Sequence, residues 1–203
     1  MSLYAPAHFA QSDRAAAEAL IAAHPFATLI TALDGAEPQI SHLPLLLEGD
    51  ALIGHLAKAN PHWQRFEQGT TIASTIAIFH GPHAYVSPRW YAEPERNVPT
   101  WNYATVHVSG QPQLLDRDAA RSSLLKLTQA FDPQWQADEA TLQRLLPGIV
   151  AFRMPVARVE TKFKMSQNKT ADDQRGVIAG LLAADDRDAA SVAQWMRQKS
   201  PHG

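Results

Sequence analysis

Hydrophobic and β-branched positions fall in short runs bounded by turn signals over much of the chain. Phe26 to Leu33 and Gln39 to Leu47 read as strands, separated by the turn signal Asp34-Gly35. A second turn, Glu48-Gly49-Asp50, leads into Ala51 to Ala57. Three sequential strands with tight turns predict an antiparallel meander, hence a barrel or sandwich rather than βαβ units. Thr70 to Phe79, Thr100 to Leu115 and Ile149 to Phe163 are further predicted strands, rich in β-branched residues. Between the first two of these, His80 to Pro99 holds four prolines and reads as a rigid, extended loop.

Helices frame these strands. Ser12 is the expected cap of a helix over Asp13 to His24, Ala-rich and ended by Pro25. Asn60 caps a short helix from Pro61 through Gln68. Others are predicted from Asp116 or Asp118 to about Phe131, then Ala140 to Leu146, Asp172 to Ala184 and Asp188 to Gln198. The fold class is mainly β with flanking helices (α+β), and the 203 residues read as one domain with C-terminal helices.

Composition removes several function classes. There are no cysteines, so disulfides, thiolate nucleophiles and zinc–thiolate sites are excluded. Net charge is −2, which gives no global pull toward nucleic acid or membrane. No apolar run approaches the ~20 residues that span a bilayer, and no signal-peptide pattern opens the chain, so the cytoplasm is the expected compartment. Nine histidines include no spacing of a metal motif, and no metal is expected.

Three stretches carry candidate chemistry. His55-Leu56-Ala57-Lys58-Ala59-Asn60-Pro61-His62-Trp63 places a lysine beside a capped helix start, where free amides and the helix dipole favour a phosphate. The plainer reading makes Lys58 a solvated charge and Asn60 a simple cap. In Gln39 to Pro44, Pro44 cannot donate to a ladder, so it marks an edge or an interrupted pairing near Ser41, His42 and Leu43. The long strand at 149–163 ends in a tip where Lys162, Lys164, Gln167, Asn168 and Lys169 crowd together, suited to an anionic, hydrogen-bonding ligand. Tyr85, Trp90, Tyr91, Trp101 and Tyr103 cluster around the proline-rich segment as interface or pocket aromatics.

With MSLYAPAHF at the start and VPTWNYATVHVSG at 98–110, the stretches HLAKANPHW, GPHAYVSPRWY and VETKFKMSQNK resemble the PaiB-like family of FMN-binding proteins, from about Tyr4 to Val177. That resemblance implies an FMN-binding split β-barrel related to the pyridoxamine phosphate oxidase type, a homodimer, and FMN at the subunit interface. Carried onto this chain, it implies flavin contacts from Ser41, His42, Leu43, Lys58, Asn60, His62, Trp63, Trp101, Asn102, Lys162, Gln167 and Asn168. Thr161 departs from the family's usual Gly and is expected to narrow the pocket if a ligand approaches there. An FMN-binding split-barrel protein is the leading reading, with flavin-dependent oxidoreductase as its candidate activity. The alternatives are a transcriptional regulator, whose DNA binding the charge does not support, and a flavin or haem binder without turnover.

Overall fold

The computed structural model describes residues 3–10, 12–32, 35, 37–67 and 74–199. β1 (Phe26–Ala32) alternates buried and less buried positions as a half-covered strand should. β2 (Gln39–Pro44) pairs antiparallel with it, Leu29 opposite Ser41 and Thr28 opposite His42. β3 (Leu46–Glu48) and β4 (Ala51–Ala57) form a hairpin. Its turn uses Gly49 at φ +59°, a conformation that costs glycine no steric penalty. β5 (Ser74–Val86), β6 (Thr100–Gly110), β7 (Gln113–Leu114) and β8 (Ile149–Lys164) complete the set. Neighbouring strands follow the order β2-β1-β5-β6-β8-β4-β3, with β7 also on β8.

Two expectations need correction. The run Gln39 to Leu47 is not one strand of a meander, because it breaks at Leu45 into β2 and β3, which occupy opposite ends of the strand order. Pro44 ends the first piece, while Leu45 is fully buried and its amide donates to the Pro25 carbonyl at 2.9 Å. His80 to Pro99 is not all loop either. β5 continues through Val86 with Gly81 and Pro82 buried inside it. Only 87–99 is irregular, with short 3-10 turns at Pro88–Trp90 and Pro94–Arg96. Predicted positions Leu33, Asp34, Gln68 and 70–73 lie outside the described residues.

The chain divides into two compact units, and β5, β6 and β8 each contribute to both. The turn unit comprises Glu18–Phe79 and His107–Val159. Its core includes the fully buried Leu29, Leu45, Leu52, Phe79, Phe152 and Met154. It carries α2 (Arg117–Phe131) and α3 (Glu139–Leu145), capped by Asp116 and Asp138 through the amides of Ala119 and Thr141. α1 (Arg14–Ala23) runs through both units, and Asp13 rather than Ser12 bonds its first turn, accepting from the Ala15 amide at 3.0 Å.

The tip unit comprises Met1–Ala17, His80–Val106 and Glu160–Gly203. Val86, Val106, Val177, Leu181 and Val192 are buried there, with Met196. α4 (Ala171–Ala183) is capped by Thr170 and precedes α5 (Arg187–Lys199). Trp90 packs on α4 at its glycines: a Cβ on Gly180 would stand 2.2 Å from the indole, and one on Gly176 would stand 2.0 Å from the Trp90 carbonyl. Trp90 therefore serves packing within this unit. No described helix is long and apolar enough to cross a membrane.

Candidate functional site

In the turn unit, three of the predicted residues join in one hydrogen-bonded clamp. Asn60 caps the 3-10 helix Pro61–Phe66, its Oδ1 accepting from the His62 amide at 3.0 Å. That bond fixes which end of the Asn60 amide faces Ser41, and its Nδ2 donates to Ser41 Oγ at 3.0 Å. Ser41 Oγ in turn lies 2.8 Å from His62 Nδ1. His62 is wholly buried against Phe66, ring centroids 5.3 Å apart, and its Nε2 has no partner among the described residues. Burial, helped by the nearby Arg65 charge, lowers its pKa to about 4, so the ring is neutral at neutral pH. The clamp ties β2 to the turn that follows β4.

Several of the amides expected to be free at this turn are engaged. The Lys58 amide donates to the Gly148 carbonyl at 2.8 Å and the Asn60 amide to Ala57 at 2.9 Å. The His62 amide is taken by Asn60, and Pro61 has no N–H to offer. Lys58 and Trp63 instead close on each other. The ammonium sits 4.0 Å from the indole centroid, and Trp63 Nε1 donates to the Lys58 carbonyl at 3.0 Å. Lys58 is exposed and, among the described residues, has no carboxylate within ion-pair distance. His42 is exposed on β2, with Nδ1 3.2 Å from Thr28 Oγ1, while Leu43 belongs to the core. As an end strand, β2 has no strand partner on one edge among the described residues.

In the tip unit, the predicted residues scatter among different tasks. Lys162 is only 7% exposed; its Nζ donates to the Tyr4 carbonyl at 2.9 Å and lies 5.2 and 5.3 Å from the rings of Tyr4 and Tyr103. Gln167 braces the turn after β8, its Oε1 accepting from the Met165 amide and its Nε2 donating to the Phe163 carbonyl. Trp101 is exposed between His83 and Tyr85, each 6.2 Å away by ring centroids. Asn102 is fully buried and exchanges hydrogen bonds with Ser166. Asn102 and Asn168 line a cavity of about 240 Å³.

Lys164 and Lys169 of the predicted tip cluster, joined by Arg96, which sequence reasoning missed, share that cavity with Asn97, Thr100 and Tyr91. Spacing carried a usable signal: Lys164 lies two residues beyond Lys162 on the same strand face. What sequence lacked was Tyr4, which covers one lysine and leaves the next open. Thr161 is buried within β8, and the strand continues through it. Among the described residues, no three His, Asp or Glu side chains gather as they would around a metal ion.

The chain is similar to several known proteins. Residues 3–158 match the family described as "Putative FMN-binding domain". The chain is 30% identical over 208 residues to the protease synthase and sporulation protein PAI 2 of Bacillus subtilis, covering 97% of this chain and 98% of that one. Among solved structures, it is similar to an FAD- and haem-binding protein of Mycobacterium smegmatis, with TM-score 0.63 and 18% identity over 82% of this chain and 78% of that one. A flavocytochrome of Azotobacter vinelandii gives TM-score 0.61 and 17% identity, covering 76% and 69%. The fold class is the split β-barrel, mainly β with helices, and the chain belongs to the FMN-binding domain family, whose cofactor is FMN.

Proposed function

We propose that this protein is an FMN-dependent oxidoreductase acting as a homodimer. The donor chemistry suits the cofactor. The unpaired edge of β2 at Ser41 to Leu43 offers backbone groups to the imide edge of a flavin, and the clamp of Ser41, Asn60 and His62 holds that edge in place. Lys58, which has no carboxylate partner among the described residues, offers a cation to the phosphate. FMN supplies the hydride-accepting ring, while the chain's own residues bind and orient it.

The observation that carries the choice of a small-molecule enzyme is the inward turn of the tip lysines. Lys162 is buried, and Lys164 and Lys169 are half-buried around a small cavity. A DNA backbone needs cations spread along an exposed surface, and the net charge of −2 offers no such field. The homodimer has support in surface chemistry. Tyr85 and Trp101 are 45% and 52% exposed side by side, and a second copy would cover them.

Purified protein should take up FMN, and the bound flavin should bleach anaerobically on addition of NADH or NADPH. Failure to bind FMN overturns the reading. So does a bound flavin that dithionite reduces but neither nicotinamide does. Sedimentation should give a dimer that Trp101→Glu dissociates; a monomer binding FMN fully would remove the dimer from the proposal.

A further inference from the structure

The tip unit builds a cavity with its own charge, its two half-buried lysines standing past residue 158, where the family match ends. Lys164 Nζ donates to Thr100 Oγ1, and Lys169 Nζ donates to Asn97 Oδ1 at 2.7 Å and sits 4.8 Å from the Tyr91 ring. Among the described residues, no carboxylate stands within ion-pair distance of either ammonium. Arg96 differs, since it is exposed and already paired with Glu93 at 2.6 Å. Burial lowers the Lys164 pKa, and the like charges of Lys162 and Lys169 lower it further. Two half-buried cations that repel each other and lack a counter-charge are costly unless an anion comes to them.

The backbone around them is held at a cost of its own. Ser166 adopts φ +59°, unusual for any residue but glycine, yet it is 3% exposed and hydrogen-bonded to Asn102. Gln167 braces the turn from within, the Lys169 amide donates to the Ser166 carbonyl at 2.9 Å, and Gln174 Nε2 donates to the Lys169 carbonyl at 3.0 Å. Strain that its surroundings over-determine is a mark of functional sites. Here it aims Lys164 and Lys169 into one small space. Its volume, about 240 Å³, falls below the roughly 300–1,000 Å³ of sites that enclose drug-sized ligands. A flavin ring does not fit, whereas a phosphate or carboxylate group does.

We infer that the cavity of Lys164, Lys169, Asn97 and Thr100 is an oxyanion site that receives a phosphate or carboxylate group. The two ammoniums supply charge, and the Asn97 and Thr100 side chains fix their positions. Two sources share this chemistry: the phosphate of FMN itself, or the anionic end of a separate substrate.

Inorganic phosphate is the probe, titrated by calorimetry into flavin-free and FMN-loaded protein. Wild type should bind it saturably, and Lys164→Gln with Lys169→Gln should weaken it at least tenfold. Arg175→Gln, which removes an exposed charge elsewhere on the same unit, should leave it unchanged. If FMN's phosphate is the occupant, FMN loading abolishes phosphate binding, and the double variant loses FMN but not riboflavin. If a substrate anion is the occupant, FMN-loaded protein still binds phosphate and the double variant keeps its FMN affinity. Should the double variant fold poorly, a phosphate-dependent rise in wild-type melting temperature that Asn97→Ala reduces carries the same test. No saturable binding to flavin-free wild type, or equal binding by a folded double variant, overturns the inference. Phosphate binding is read without flavin turnover, so its failure is separate from failure of the oxidoreductase reading.

Discussion

The turn and the tip both concentrate polar side chains, but they treat them in opposite ways. At the turn, Ser41, Asn60 and His62 satisfy one another, and the amides of Lys58, Asn60 and His62 are already bonded. At the tip, Asn102, Ser166, Gln167 and Gln174 settle the backbone, while Lys164 and Lys169 are left with neutral partners only. Polar groups that pair internally hold a shape, and what they offer a ligand is the backbone they position. Cations without counter-charge offer themselves. Residue type alone does not separate the two cases.

The largest effect expected to test that contrast is acid sensitivity of the turn. His62 titrates at about 4 in the fold against 6.5 unperturbed, so between those values the unfolded chain binds the extra proton. Stability should therefore fall as pH drops from 6.5 toward 4, by up to about 3 kcal/mol from this group. Urea unfolding across that window should show a shallower slope for His62→Gln; an unchanged slope would mean that the buried ring is not what titrates.

Next in size is the contest for the flavin phosphate. Lys58→Ala should weaken FMN roughly ten- to a hundredfold and leave riboflavin alone, the loss of one charge-assisted bond of about 1.5–3 kcal/mol. Equal losses for both ligands would separate Lys58 from the phosphate. A selective FMN loss in the Lys164 and Lys169 variant instead would move that role to the tip.

Gln167→Ala should cost about 1–3 kcal/mol, since it removes two hydrogen bonds to backbone groups. It should also weaken phosphate although Gln167 does not line the cavity. Normal phosphate affinity with lowered stability would show that the turn's bracing and the cavity are independent. The smallest effect is a gain: Lys164→Gln should raise the stability of anion-free protein by a few tenths of a kcal/mol, by relieving repulsion among three lysines. A loss would mean that the ammonium's bond to Thr100 outweighs that repulsion.

Much of the fold was legible because its signals are local. Caps at Asn60 and Asp116 and the turn at Gly49 all depend on residues within a few positions. Pro44 announced an edge, and β2 is an end strand. The failures have a different origin. Gly81 and Pro82 look like breakers, yet β5 carries them in its interior, because pairing with distant strands overrides local preference. Leu45 sits within an unbroken apolar run, and only the pairing itself, β2 with β1 and β3 with β4, reveals that the chain changes partners there. At the tip, strand spacing put Lys162 and Lys164 on one face, but covering by Tyr4 is a contact across most of the chain.

The break at Leu45 also bears on how fast this protein folds. β4 pairs with β8 from Ala51 opposite Pro155 to Ala57 opposite Ile149, partners about a hundred positions apart. The β3–β4 hairpin can form early from its own turn, but its other neighbour arrives only after a long loop has closed. Loop closure of that length sets a slow step, during which β4 presents an unpaired, almost wholly apolar edge. The chain's aggregation hazard during synthesis therefore sits at β4, before β8 has emerged to cover it.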